Sequence, residues 1–266
     1  MNKITLLVIL VSVSSAYAGP SGKEIMTKNE DNRKLSTINS SATLTTGGGS
    51  SGEKIKEFTW WRKLLADTIH YNTLTRFHSP AEVRGEGILF LEHNDGENDV
   101  MLYLPSFKKI RRVESQAQSG SFMGSEFSYS DIATPHVDDY TYSVSSDVKC
   151  PQAEAASEMC FVVESTPVND KIKERTGYSK AVTWLRHDNY IGVKAEYYDF
   201  DGKLFKRLEA SEIKEVDTAK HKWLAHKVHM NNLKNGRYTD LHFANVKSNQ
   251  PIQDSTFTQQ NLESGR

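Results

Sequence analysis

Short stretches in which apolar and polar residues alternate recur along most of the chain. Between residues 55 and 61, Phe58 and Trp60 fall on one face of an extended chain, and Glu57 and Thr59 fall on the other. Alternation with a period of two indicates a β-strand that buries one face. Similar runs lie at residues 38–46, 68–77, 87–92, 100–104, 140–148 and 161–166, separated by turn-forming residues. The pattern predicts a mainly β (α+β) protein.

The last third of the chain carries the clearest hairpin signals. Strand-like runs at residues 181–186, 190–200, 203–216, 221–233 and 237–246 follow one another with short connections. Two of these connections contain Asp201-Gly202 and Asn235-Gly236, dipeptides that favour tight hairpin turns. Consecutive strands joined in this way form an antiparallel meander. In all, about ten to eleven strands and a few short helices predict one strongly curved antiparallel sheet or a partly closed barrel.

The N-terminus has the organisation of a cleavable secretory signal peptide. Lys3 supplies a positive charge, a ten-residue apolar run follows at residues 4–13, and residues 16–18 read Ala-Tyr-Ala. This pattern predicts a signal peptide at residues 1–18, cleaved between Ala18 and Gly19. The apolar run is shorter than the ~20 residues that span a bilayer. Residues 19–266 are then expected to form a single soluble domain outside the cytoplasm, beginning with a helix within residues 19–35.

The chain has two cysteines, Cys150 and Cys160. Neither lies at the cleavage site, so the lipid anchor of a bacterial lipoprotein has no attachment point. In an oxidising compartment the two are expected to form a disulfide that closes a loop between two strands, and two free buried thiols are the alternative.

Charge and motifs exclude several classes of function. The formal net charge is -1, and the even mixture of signs argues against nucleic acid as the main partner. No phosphate-binding loop or zinc-protease motif is present, and the glycine-rich run at residues 47–52, which has the spacings of a nucleophile elbow and a dinucleotide fingerprint, lies between two strand-like runs instead of before a helix. The serines at residues 121–130 lack a histidine at a recognisable spacing, and His221, His226, His229 and His242 are spaced poorly for a metal site. We therefore expect no catalytic residue, no metal and no cofactor.

Two segments carry distinctive side chains without a regular period. Residues 120–129 place Phe122, Met123, Phe127 and Tyr129 among small residues. Such a segment suits either a binding surface for apolar ligands or a loop that caps the core. Residues 108–112 form a basic run, which either contacts anionic head groups or an acidic partner, or is a solvated strand edge.

Several of these segments resemble the LolA-like outer-membrane lipoprotein-sorting proteins. The resemblance covers nearly the whole chain after the signal peptide, in order, and it is carried by residues 79–85, 102–105, 109–112, 120–129, 194–199, 201–204, 230–233 and 254–258. It implies an unclosed β-barrel wrapped around helices in a periplasmic protein without catalytic residues. The Gly-rich segment at residues 47–52 and the loop between the cysteines depart from the family pattern.

The resemblance also implies a function. LolA-like carriers shelter acyl chains on a concave apolar face in transit to the outer membrane, so the expected partner is a lipid or lipoprotein acyl chain, with transient membrane contact only. The residues expected to line such a cavity are Trp60, Phe77, Leu89, Leu102, Leu104, Phe122, Met123 and Phe127. The alternative is an accessory or docking module of an RND-type inner-membrane exporter, or an envelope sensor, without lipid cargo.

Overall fold

The fold is described from a computed structural model covering residues 19–50, 52–93, 97–145, 147–151 and 158–264. The predicted signal peptide, residues 1–18, lies outside the described residues. Its predicted cleavage after Ala18 lies directly before the first described residue, Gly19.

The described chain contains fourteen strands and four α-helices. The strands are β1 (Thr37–Gly48), β2 (Lys54–Leu64), β3 (Tyr71–Ser79), β4 (Gly87–Leu91), β5 (Asp99–Leu104), β6 (Lys109–Arg112), β7 (Tyr140–Val144), β8 (Val148–Lys149), β9 (Met159–Pro167), β10 (Lys180–Arg186), β11 (Gly192–Tyr198), β12 (Leu204–Asp217), β13 (Lys222–Asn232) and β14 (Arg237–Ser248). The helices are α1 (Gly22–Arg33), α2 (Tyr129–Ile132), α3 (Asp170–Thr176) and α4 (Gln259–Ser264).

All fourteen strands belong to one antiparallel sheet, with the order β6-β5-β4-β3-β2-β1-β14-β13-β12-β11-β10-β9-β7 and β8 paired beside β9. Strands β6 and β7 stand at the two ends and do not pair, so the barrel is unclosed as expected. The meander over β10 to β14 is confirmed. The strand number exceeds the predicted ten to eleven, and two of the additional strands arise because the basic run forms the short edge strand β6 and because residues 140–148 divide into β7 and β8.

The sheet curls around one large apolar cluster. Its members come from strands as distant in the sheet as β5 and β13, and they meet in one core: Leu35, Ile38, Ala42, Leu44, Phe58, Trp60, Phe77, Ile88, Phe90, Val100, Phe122, Phe127, Met230, Leu241 and Phe243. Side chains of strands six positions apart in the sheet can meet only if the sheet is curved. We call this the inner face of the sheet.

The C-terminal tail covers part of the outer face. Phe257 and Leu262 are buried there against Leu74 and Leu89. Buried Arg76 donates to the carbonyl oxygens of the tail, 2.7 Å from its Nη1 atom to Leu262 O. Phe257 and Leu262 therefore anchor the tail to the sheet through buried contacts.

Helix α1 lies across the inner face of β9 and β10. A capping box between Ser21 and Glu24 starts the helix by satisfying its first backbone N–H groups. Ile25 is fully buried against Phe161 and Leu185 of the two strands. The helix thus covers the half of the inner face that the large apolar cluster leaves open.

The two predicted hairpin turns are present, but each connecting loop is longer than the two-residue dipeptide. Residues 233–236 connect β13 to β14, and residues 199–203 connect β11 to β12, because strand pairing stops before each Gly-containing dipeptide. Gly47 and Gly48 of the glycine-rich segment end β1, which pairs with β2 as a hairpin. Gly48 has a φ of 83°, and a Cβ atom there would stand 2.4 Å from the Gly236 carbonyl oxygen, so this position requires glycine.

The predicted disulfide between Cys150 and Cys160 is present, with 5.1 Å between the two Cα atoms. It joins the end of β8 to β9, and both cysteines are buried with Val193. Along the described part of the chain, no helix is both long enough and apolar enough to cross a membrane.

We predict that replacing both Cys150 and Cys160 by Ala lowers the free energy of unfolding. The bond closes a loop with a sequence separation of 10, for which loop-closure entropy predicts a loss of about 3 kcal/mol. Urea denaturation of both proteins measures this difference. Equal unfolding midpoints and slopes would show that the bond contributes nothing to stability.

Candidate functional site

Residues 120–129, which carry Phe122, Phe127 and Tyr129, lie against the inner face of the sheet. We call this segment the inner loop. It folds on itself through a backbone hydrogen bond from Phe122 N to Phe127 O, 2.8 Å long. Glu126 fixes it to the sheet, because its backbone N–H donates to Thr239 Oγ1 at 2.9 Å and its carboxylate accepts from Asn232 at 2.7 Å. The loop is therefore a built part of the domain.

The serines of the inner loop are used in this construction. Ser121 Oγ donates to the Ser125 carbonyl oxygen, and Ser125 Oγ donates to the Phe122 carbonyl oxygen, both at 2.6 Å. Ser128 caps α2 in a capping box with Asp131. These hydroxyl groups have structural partners, and none has the adjacent histidine that would activate a nucleophile. Within the described ranges, no group of three His, Cys, Asp or Glu side chains is arranged to hold a metal ion.

Most residues proposed from the sequence as cavity-lining lie on the inner face. Trp60, Phe77, Phe122 and Phe127 belong to the large apolar cluster, and Leu102 and Met123 are half-buried against it. The aromatic rings pack on one another, with Phe122 edge-on to Tyr129 at a centroid distance of 5.8 Å. These side chains fill this part of the inner face rather than leaving it open.

Two of the proposed residues do not join that cluster. Leu89 lies on the outer face against Leu74 and Leu262, because Ile88 and Phe90 on the same strand point inward and successive side chains alternate. The expectation that Leu89 lines the inner cavity is corrected accordingly. Leu104, at the end of β5, is half-buried and belongs to neither cluster.

An open space remains beside the apolar cluster, between α1, α2 and the strands β9 to β12. This inner cavity has a volume of about 180 Å³. Its walls are mainly apolar or aromatic, and they include Met26, Phe127, Pro135, Val137, Tyr140, Tyr142, Pro167, Tyr178, Ala181, Tyr197 and Leu208. Phe127 is the one residue of the sequence-based set that lines it.

The phenol groups of the cavity are electrically neutral at physiological pH. Burial raises the pKa of Tyr140 to about 12, and the nearby Asp139 adds to the effect. Burial is also the main cause that raises the pKa values of Tyr142, Tyr178 and Tyr197. The walls therefore present rings without charge, which suits an apolar ligand.

One side of the cavity is held by a buried polar network. The Tyr178 hydroxyl donates to Asp131 at 2.9 Å and accepts from Lys206 at 3.2 Å. Lys206 and Asp131 form an ion pair at 3.8 Å, and both side chains are largely buried. Each of the three side chains has a hydrogen-bond or ion-pair partner. The network therefore holds α2 against β12 and fixes this wall of the cavity.

A second, more open cleft of about 520 Å³ lies on the other side of Tyr178. Its lining is more polar and includes the ion pair between Lys234 and Asp199, whose atoms are 2.6 Å apart. Phe200 also lines this cleft and is 54% exposed.

Sequence reasoning missed most of the residues that line the inner cavity. Tyr140 and Tyr142 stand two apart on one strand, a spacing that puts both on one face, and this signal was available. Met26 lies one position after buried Ile25 on α1, so the helix pattern could have indicated it. Tyr197 and Leu208 come together only through the pairing of β11 and β12, which no local pattern reveals.

We predict that Phe122→Ala lowers the free energy of unfolding by about 3–5 kcal/mol, because Phe122 is 2% exposed and fills the core. Met123→Ala is the matched control. Met123 follows Phe122 directly but is only half-buried, so we expect a smaller loss of unfolding free energy. Urea denaturation measures both. A loss below about 1 kcal/mol for Phe122→Ala would mean that the ring is not part of the packed core.

Comparisons with known proteins agree with this architecture. A protein-family model described as "uncharacterized protein" matches residues 70–264. No curated protein sequence matches the chain.

Several solved structures share the fold over nearly the whole chain. A Vibrio parahaemolyticus domain assigned to the outer membrane lipoprotein-sorting proteins is 27% identical, with 91% of this chain and 98% of that chain covered and a TM-score of 0.80. A DUF1329 family protein from Desulfovibrio piger is 25% identical, with 91% and 97% covered and a TM-score of 0.82. A LolA superfamily protein from Nitrosomonas europaea, 19% identical, has the same fold, with 91% and 100% covered and a TM-score of 0.70. The chain belongs to the family that this model describes over residues 70–264, and the solved structures similar to it include those of a lipoprotein-sorting domain, a DUF1329 family protein and a LolA superfamily protein.

Proposed function

We propose that this protein is a periplasmic carrier that shelters a lipid or lipoprotein acyl chain during transfer towards the outer membrane. The observation that carries this proposal is the inner cavity, an apolar space walled by neutral phenol rings and enclosed between α1 and the sheet. The predicted signal peptide is consistent with a periplasmic protein.

The physical basis is the transfer of acyl methylenes out of water. Each buried methylene contributes about 0.8 kcal/mol, so affinity rises with the length of chain that the cavity covers. The volume of about 180 Å³ lies below the range of about 300–1,000 Å³ that is typical for small-molecule pockets. We therefore propose that this conformation accommodates part of one acyl chain, without any catalytic step.

A second candidate is a docking module of an RND-type exporter or an envelope sensor. Phe200 favours it, because an aromatic ring that is 54% exposed at an open cleft suits a protein partner. Lipid analysis separates the two candidates. The mature protein purified from periplasm is extracted with organic solvent, and bound lipid is quantified by mass spectrometry. The carrier predicts a stoichiometric acyl species, and a clean blank favours the docking module.

We predict that Ala181→Phe lowers the amount of bound acyl chain by about tenfold or more. Ala181 lines the inner cavity, and a phenyl ring there displaces at least two methylenes, worth about 1.6 kcal/mol. Ala219→Phe is the control, since Ala219 is exposed in the turn between β12 and β13. Both variants are compared by the same extraction, after circular dichroism has shown that they fold. Equal lipid content in the two variants would contradict the assignment of this cavity as the acyl site.

A further inference from the structure

The inner cavity contains one positive charge that has no anionic partner. Arg33, in the last turn of α1, lines the cavity, and its Nε atom donates only a long hydrogen bond to Asn29 O at 3.4 Å. The guanidinium group forms no ion pair with any described residue. The helix dipole favours a cation in this turn, but it does not supply acceptors for the other guanidinium N–H groups.

The other charged groups that line the cavity are already partnered. Glu30 pairs with Lys34 at 3.5 Å, and Lys180 pairs with Glu164 at 2.7 Å. Asp131 accepts from Tyr178 and pairs with Lys206. Arg33 therefore differs from each of them.

Arg33 is itself an exposed residue, so its unpaired guanidinium stands at the open side of the cavity, where an anionic group can reach it. Partial desolvation of the guanidinium and then repulsion from nearby Arg62 lower the pKa of Arg33. An anion beside Arg33 would offset this repulsion.

Unsatisfied nitrogen atoms lie in the same region. His136 lines the cavity, and its Nδ1 atom is buried without a hydrogen-bond partner. Arg62 Nε is also buried without a partner, while the rest of that guanidinium stacks over Tyr71 at 3.9 Å and donates to Thr134. Buried polar atoms without a hydrogen-bond partner are uncommon in folded proteins and carry a free-energy cost.

We propose that the inner cavity binds a single-chain lipid with an anionic head group, whose carboxylate or phosphate oxygens pair with Arg33. This inference rests on the proposed carrier function and narrows its cargo. The acyl chain lies against Tyr140, Tyr197 and Leu208, and the head group lies at the α1 side of the cavity. A lipid with an uncharged head would bury the same chain but leave Arg33 unpaired. The small volume agrees with one chain rather than several.

The test compares ligands that share a twelve-carbon chain and differ in the head group. Dodecanoate, dodecyl phosphate and the uncharged dodecanol are titrated into the delipidated full mature protein at neutral pH by displacement of a fluorescent acyl probe. We expect at least one anionic ligand to bind about tenfold or more tightly than dodecanol, the size of one charge-assisted hydrogen bond. The carboxylate and phosphate arms identify the preferred head group.

Two variants assign the preference to Arg33. Arg33→Gln is expected to remove the anion preference while dodecanol affinity stays unchanged. Lys28→Gln is the control, because Lys28 lies on the same helix with its Nζ at 3.1 Å from the exposed Tyr190 hydroxyl and does not line the cavity. Loss of the preference in both variants would indicate a general charge effect and overturn the assignment.

The outcomes separate this inference from the proposed function. Equal affinity of the wild-type protein for dodecanoate, dodecyl phosphate and dodecanol overturns the anionic-head inference and leaves the acyl carrier standing. An anion preference that survives in Arg33→Gln also overturns it. Failure of all three ligands to bind contradicts the acyl site itself, and with it the proposed function.

Discussion

The need to cover the apolar inner face of a curled, unclosed sheet governs the rest of this structure. An antiparallel sheet can leave one face in water, but here inward side chains from seven neighbouring strands form one large apolar cluster. Because β6 and β7 do not pair, closure of the barrel cannot cover that face. Other segments of the chain must cover it, and they contribute different amounts of apolar surface.

The inner loop covers one half with Phe122 and Phe127, which pack as ordinary core side chains. Helix α1 covers the other half with less apolar surface, since Ile25 is its one fully buried large side chain. A twelve-residue helix with several charged residues does not fill the curvature beneath it. The inner cavity lies where the two coverings meet, with Phe127 on one side and Met26 on the other. Its Tyr rings and the unpaired Arg33 give that space a chemistry different from the dry core beside it.

Much of the fold could be predicted from local pattern. Alternation identified the strands around Phe58 and Trp60, and the C-terminal meander followed from its turn residues. The disulfide between Cys150 and Cys160 was predicted correctly because they are the two cysteines of a chain with an export signal. The face on which a residue lies was harder, and Leu89 was misplaced because β4 is apolar throughout, which hides its alternation. The cavity was missed because filled and empty space are set by the volumes of side chains from α1, β7 and β11 together, which no single segment encodes.

A photoreactive acyl chain tests the position of the cargo most directly. Dodecanoate carrying a diazirine at its terminal carbon is bound to the mature protein and irradiated, and the labelled peptides are mapped by mass spectrometry. An acyl chain in the inner cavity labels peptides of α1, β11 and β12, and excess unlabelled dodecanoate removes the label. Label confined to exposed apolar positions such as Phe107 or Phe200, with α1 and β11 unlabelled, would contradict an acyl site inside this sheet.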